Sequence, residues 1–103
     1  MATQQYVILS RKPSSGNGLA PLGTRREVVD QLGRFNTSPE RADADDVLWG
    51  PGVRIDLPPL VDPVTQMLLT VVEEEIGWMV IIRLAKHFQW KIVDTATGRE
   101  LNP

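Results

Sequence analysis

A glycine-rich run followed by two arginines is the part of this sequence that most resembles a binding site. Residues 14–18 read Ser-Ser-Gly-Asn-Gly, and the arginines come where a helix is expected to begin. Helix N-termini and guanidinium groups both favour anions. The spacing fits neither a P-loop nor a dinucleotide fingerprint, and solvated arginines beside a surface loop are the commoner source of such a pattern. The candidate anion-binding residues are Ser15, Gly16, Thr24, Arg25 and Arg26.

Glu75 is the second candidate, because it falls within a helical stripe that is otherwise apolar. With a helical period its neighbours are Val71, Val72, Met79 and Ile82. A buried carboxylate must find a partner or take up a proton, and a perturbed acid can serve proton transfer or ligand binding. We favour the simpler interpretation, a structural carboxylate that pairs with a base or reaches solvent.

The remaining reactive residue types lack the spacing that a catalytic or metal site needs. Asp43, Asp45 and Asp46 lie near Glu40, but the glycine and distal glutamate of a calcium loop are missing. His87 is the only histidine, and no nucleophile accompanies it at a telling distance. The absence of cysteine excludes thiol catalysis, thiolate metal sites and disulfides. We therefore expect no metal, no cofactor and no catalytic residue, and we favour a protein that is not an enzyme.

The composition predicts a single soluble domain. The 103 residues suffice for one core, and an apolar content of 42% with 23% charged residues is typical of globular proteins. A net charge of -2 supplies no broad positive field, so neither nucleic acid nor a membrane surface is an expected partner. No secretory signal or membrane-spanning run is visible, and a cytoplasmic location is expected.

Hydrophobic patterning predicts the element order β, α, β, β, α, β. The predicted strands are residues 6–9, 47–49, 53–57 and 90–93, and the predicted helices are residues 24–34 and 62–88. Thr24 with Glu27 is a capping box, and Asp62-Pro63 is typical of a helix start. We predict one α+β domain over residues 1–103: a two-layer, ferredoxin-like βαββαβ sandwich with two helices on one face of an antiparallel sheet. The alternative is a β-meander packed on the long helix alone.

The second half of the predicted helix 62–88 is apolar on nearly every side. Opposite the expected core stripe stand Gly77, Val80, Ile81, Leu84 and Phe88. A surface helix usually hides one apolar stripe, so this second surface is either covered by the same chain or bound by a partner. We favour an interface formed by these residues, most simply that of a two-fold homodimer.

These features predict a small cytoplasmic protein-interaction module that self-associates through the C-terminal half of the long helix. An alternative of another class is a ligand-binding regulatory domain or an enzyme. It would use an anion site near Arg25 and Arg26 with Glu75 as its acid. The sequence does not identify the partner or the ligand.

Overall fold

In the residues that the structure describes, short strands alternate with two helices around a single sheet. The computed structural model describes residues 4–10, 20–41, 46–88 and 90–101. In chain order its elements are β1 (Gln5–Leu9), α1 (Arg25–Gly33), β2 (Val47–Gly50), β3 (Val53–Asp56), β4 (Gln66–Val71), α2 (Glu74–Phe88) and β5 (Lys91–Asp94). The predicted α+β class is confirmed.

The five strands form one open antiparallel sheet in the order β2-β3-β4-β1-β5, with the core against one of its faces. Because side chains alternate along a strand, cross-strand neighbours share a face. Tyr6 and Ile8 of β1 stand beside Leu69 and Met67 of β4, and Ile92 of β5 stands beside Ile8. All five are buried. The helices add to this same buried cluster Val28, Leu32, Ile81, Leu84 and Ala85.

The prediction of one helix over residues 62–88 is wrong, because its first half is strand β4. Met67 and Leu69 point into the core, whereas Leu68 and Thr70 on the opposite face are half-buried. Helix α2 begins only at Glu74 and has 15 residues. Strand β4 pairs with β1 on one side and with β3 on the other, so it is a central strand of the sheet.

This additional strand also changes the topology from the predicted one. A βαββαβ sandwich has two strands between its helices, whereas this chain has three: β2, β3 and β4. Strand β4 lies between β1 and β3 and separates them. The ferredoxin-like arrangement is therefore not confirmed. The meander alternative describes β2, β3 and β4, which are consecutive neighbours, but it leaves out the contribution of α1 to the core.

Two residues that were predicted to cap helices meet at the start of α1. Thr24 was predicted to cap this helix, whereas Asp62 was predicted to cap the second one. Thr24 is the N-cap: its Oγ1 accepts a hydrogen bond from Glu27 N at 3.1 Å and donates one to Glu27 Oε1 at 3.1 Å, which confirms the predicted cap and its pairing with Glu27. Asp62 Oδ1 accepts from Arg25 N at 3.0 Å. Asp62 therefore stabilises the first turn of α1 and does not start α2, and the Asp62-Pro63 peptide bond is cis.

Candidate interaction surface

The side of α2 that faces away from the sheet carries exposed apolar side chains. The buried side is formed by Gly77, Ile81, Leu84 and Ala85. At 100° per residue, the half of the helix turned away from them carries Glu75, Ile76, Met79, Ile82, Arg83 and Lys86, which we call the outer face of α2. Met79 is 65% exposed and Ile76 is 45% exposed, and Val72, just before the helix, is 59% exposed. These are large apolar surfaces for a water-facing helix side.

An open groove of about 540 Å³ runs along the C-terminal half of the outer face. It is lined by Phe35, Met79, Ile82, Arg83, Lys86 and His87. Aromatic contacts hold this end of α2 in place. The ring centroids of Phe35 and His87 are 4.8 Å apart, and Phe88 stacks on Trp90 with centroids 4.2 Å apart. The groove therefore combines an apolar floor with a basic rim.

The five residues predicted to form an interface lie mainly on the opposite side of α2. Ile81 is 1% exposed and Leu84 is fully buried, so both belong to the core of their own chain. Gly77 is buried as well, and Val80 and Phe88 are half-buried against the same core. The predicted surface was on the wrong side because the helical stripe was counted from residue 62, within a segment that is not helical. A substitution such as Leu84→Asp would thus damage the core and could not test an interface.

Gly77 does allow another backbone to come close, but that backbone belongs to the same chain. A Cβ atom on Gly77 would lie 2.6 Å from the carbonyl oxygen of Gly52, in the turn between β2 and β3. Gly52 has φ of +71°, which favours glycine, and a Cβ there would lie 2.5 Å from Gly77 N. The Gly52 carbonyl also accepts from Val72 N at 2.8 Å and Glu73 N at 3.1 Å. The first turn of α2 is therefore held directly against the β2–β3 turn.

The candidate anion site is only partly described, and its best-placed arginine is already engaged. Arg25 Nη1 donates to the carbonyl oxygen of Pro58 at 2.7 Å, and Nη2 forms an ion pair with the carboxylate of Asp46. The Arg25 side chain is 13% exposed, which marks it as a structural tie between α1 and the loop after β3. Thr24 is used as the N-cap, and Arg26 is exposed on α1. Ser15 and Gly16 lie outside the described residues.

Glu75 is exposed in the first turn of α2, so it reaches solvent, as the favoured interpretation allowed, and it is not the buried acid considered as the alternative. It lines a depression of about 460 Å³ together with Gln4, Tyr6, Glu74 and Trp78. The rings of Tyr6 and Trp78 form one wall, with centroids 6.4 Å apart. Burial raises the pKa of the Tyr6 hydroxyl above its usual 10.0, and the nearby carboxylates of Asp94 and Glu74 raise this pKa further.

Within the described residues, the acidic loop before β2 forms no metal site and the two helices form no membrane-spanning segment. Asp46 pairs with Arg25, while Asp43 and Asp45 fall outside the described ranges. Among the residues that are described, no three histidine, aspartate or glutamate side chains are grouped so that they could hold a metal ion. Neither α1 nor α2 has the length and apolar character needed to cross a bilayer, and that same part of the chain contains no other helix that does.

Comparison of the chain with known protein families, with curated proteins and with solved structures finds no match. Function therefore has to be inferred from the geometry and charge of the surfaces described above. Of these, the outer face of α2 has the most exposed apolar side chains held on a regular element.

Proposed function

We propose that this chain is a small protein-interaction module that self-associates through the outer face of α2. One observation supports this function above all: Ile76 and Met79 are exposed on a helix whose opposite side is buried in the core. Residues three apart on a helix are neighbours, so the two side chains form one apolar patch. Patches of this kind mark interaction sites on soluble proteins.

A second copy of the same chain is the partner that this surface fits. Symmetric pairing is the commonest form of assembly, and it needs only one self-complementary patch. Helix α2 has 15 residues and is therefore about 22 Å long, which gives a small interface. Small interfaces are typical of weak, reversible complexes, so we expect dissociation constants between micromolar and millimolar.

The direct test is the mass of the protein in solution as a function of concentration. Sedimentation equilibrium of the wild type should give a mass that rises from 11.5 kDa towards twice that value. Met79→Asp should stay monomeric over the same range, because a charge in the centre of the patch would have to be desolvated on association. Met79 is 65% exposed, so circular dichroism should show that this variant is still folded.

A matched control places the same charge on an exposed leucine elsewhere. Leu60 is fully exposed in the loop between β3 and β4, and Leu60→Asp should associate like the wild type. A wild type that remains monomeric up to millimolar concentration would contradict the proposal. Equal association of Met79→Asp and the wild type would contradict the assignment of the surface.

The alternative function, a ligand-binding domain or enzyme, has less support. Arg25 is tied to Asp46 and Pro58, and Glu75 is exposed instead of being held in an apolar environment. We therefore propose interaction rather than catalysis. We also propose that the module acts in the cytoplasm, because a chain without cysteine draws no stability from an oxidising compartment. Fractionation of cells that express the protein tests this location.

A further inference from the structure

Four residues on the outer face of α2 show how two copies would meet. On the basis of the proposed self-association, we infer that the two α2 helices lie antiparallel, with Glu75 of each copy beside Lys86 of the other. The four residues are Glu75, Met79, Ile82 and Lys86, which we call the α2 stripe.

The spacing of the α2 stripe makes it a continuous ridge along the helix. Its members follow one another at intervals of four, three and four residues. At 100° per residue they lie within about 60° of one another, so they form one row. This is the spacing with which two helices pack side by side, in either direction. Met79 and Glu75 are exposed, as is Lys86, and Ile82 is half-buried at the edge of the groove.

The order of residue types in the α2 stripe reads acid, apolar, apolar, base, and this order is self-complementary only in the antiparallel direction. Glu75 and Lys86 are equally far from the midpoint between residues 80 and 81, and so are Met79 and Ile82. A two-fold axis through that midpoint brings Glu75 next to Lys86 of the second copy and Met79 next to Ile82. In a parallel pair, Glu75 would face Glu75 and Lys86 would face Lys86.

Charges at the two ends of a helix need no partner to explain them, because acids near the N-terminus and bases near the C-terminus both interact favourably with the helix dipole. That explanation does not account for two apolar side chains between them on the water-facing side. Neither Glu75 nor Lys86 forms an ion pair with another residue in the described part of the chain. Both are therefore available to a second copy, and antiparallel helix dipoles add to the attraction.

Charge reversal tests this geometry directly. Glu75→Lys and Lys86→Glu each turn both end contacts of the antiparallel pair into like-charge contacts. We expect each variant to associate about tenfold more weakly than the wild type by sedimentation equilibrium. An equimolar mixture of the two variants should regain wild-type association, because each reversed residue then meets its opposite charge. The double variant Glu75→Lys/Lys86→Glu should associate like the wild type as well.

Two controls separate this effect from net charge. Asp30 and Arg26 are exposed on α1, a different helix from the one that carries the α2 stripe. Asp30→Lys changes the net charge by the same amount as Glu75→Lys, and Arg26→Glu by the same amount as Lys86→Glu. Because neither control alters the α2 stripe, both should associate like the wild type.

These experiments test separately whether the two α2 helices are antiparallel and whether the chain self-associates through the outer face. If association is weakened in each single charge-reversal variant and restored in their mixture, the antiparallel pair is supported. If Met79→Asp abolishes association while both charge reversals leave it unchanged, the antiparallel orientation is wrong and the outer face remains the interface. If the wild type does not associate at all, the proposed function fails and this inference fails with it.

Discussion

Tyr6 is the residue whose surroundings change its chemistry most clearly. It is the only tyrosine, and it is 3% exposed at the base of the depression beside Trp78. Burial raises its pKa, with further contributions from Asp94 and Glu74, because all three disfavour the phenolate. The folded chain therefore holds this proton more tightly than the unfolded chain. The resulting stability is complete below the unfolded pKa of 10.0 and is lost as the pH rises through the folded-state pKa.

We predict that Tyr6 titrates above pH 10.0 in the folded protein. Because no other tyrosine contributes, the near-ultraviolet absorbance of phenolate measures this pKa directly. Asp94→Asn should lower it, since the variant removes a charge but keeps the oxygen that accepts from Ala96 N at 2.8 Å. The pKa of Tyr6 in the Asp94→Asn variant should still exceed 10.0, because burial raises this pKa more than the Asp94 charge does. A wild-type Tyr6 pKa at or below 10.0 would contradict the burial of this side chain.

The roles of single residues could be predicted where the partner is close in sequence. Thr24 caps α1 by accepting from Glu27 N, three residues along the chain, and this cap was predicted correctly. Arg25 instead meets Asp46 and Pro58, which are 21 and 33 residues away. A candidate anion site and a structural tie look the same in a sequence, because only the fold brings those acceptors to the guanidinium group.

Among the helices and strands, one ambiguous segment caused most of the wrong predictions. In residues 64–72 the apolar residues fit a helical period, yet Met67, Leu69 and Val71 also alternate as in a strand. The β-branched residues of this segment favoured the strand. Reading the segment as helix removed β4 from the sheet and shifted the expected buried side of α2. The strands β1, β2, β3 and β5 and the helix α1 were predicted within a few residues, because glycine and proline turns or a capping residue mark most of their ends.

The contact between α2 and the β2–β3 turn can be tested with one substitution. Ala is normally preferred to Gly in a helix by about 1 kcal/mol. At Gly77, however, the added Cβ would lie 2.6 Å from a backbone oxygen that is itself held by two hydrogen bonds. We predict that Gly77→Ala lowers the free energy of unfolding by about 1–3 kcal/mol, as overpacking does. Urea denaturation followed by circular dichroism measures this change.

Gly33 at the end of α1 is the matched control. A Cβ there would have its nearest neighbour at 3.8 Å, the Oγ of Ser38, which is an ordinary contact. Gly33→Ala should therefore be neutral or stabilise the protein by about 0.4–1 kcal/mol. If the two alanine variants change stability by the same amount, the close approach of Gly52 to Gly77 is not a feature of the folded protein.

In the whole molecule, the outer face of α2 has a competitor as a partner-binding surface among the described residues. That competitor is the face of the sheet opposite the core, where Val7 stands between Leu68 and Val93. These three side chains are half-buried, whereas Met79 and Ile76 are 65% and 45% exposed. Association through α2 would therefore remove more apolar surface from water per residue. The sequence predicted an apolar surface on this helix, but the side that it occupies required the fold.

Self-association through α2 is measured most directly by recording amide chemical shifts over a dilution series, which locates the contact surface without any substitution. From micromolar to millimolar concentration, we predict that the shifts change along the outer face of α2, at Ile76, Met79, Ile82 and Lys86. The amides of Val7, Leu68 and Val93 should keep their shifts. Changes confined to the sheet, or shifts that do not depend on concentration, would contradict self-association through α2.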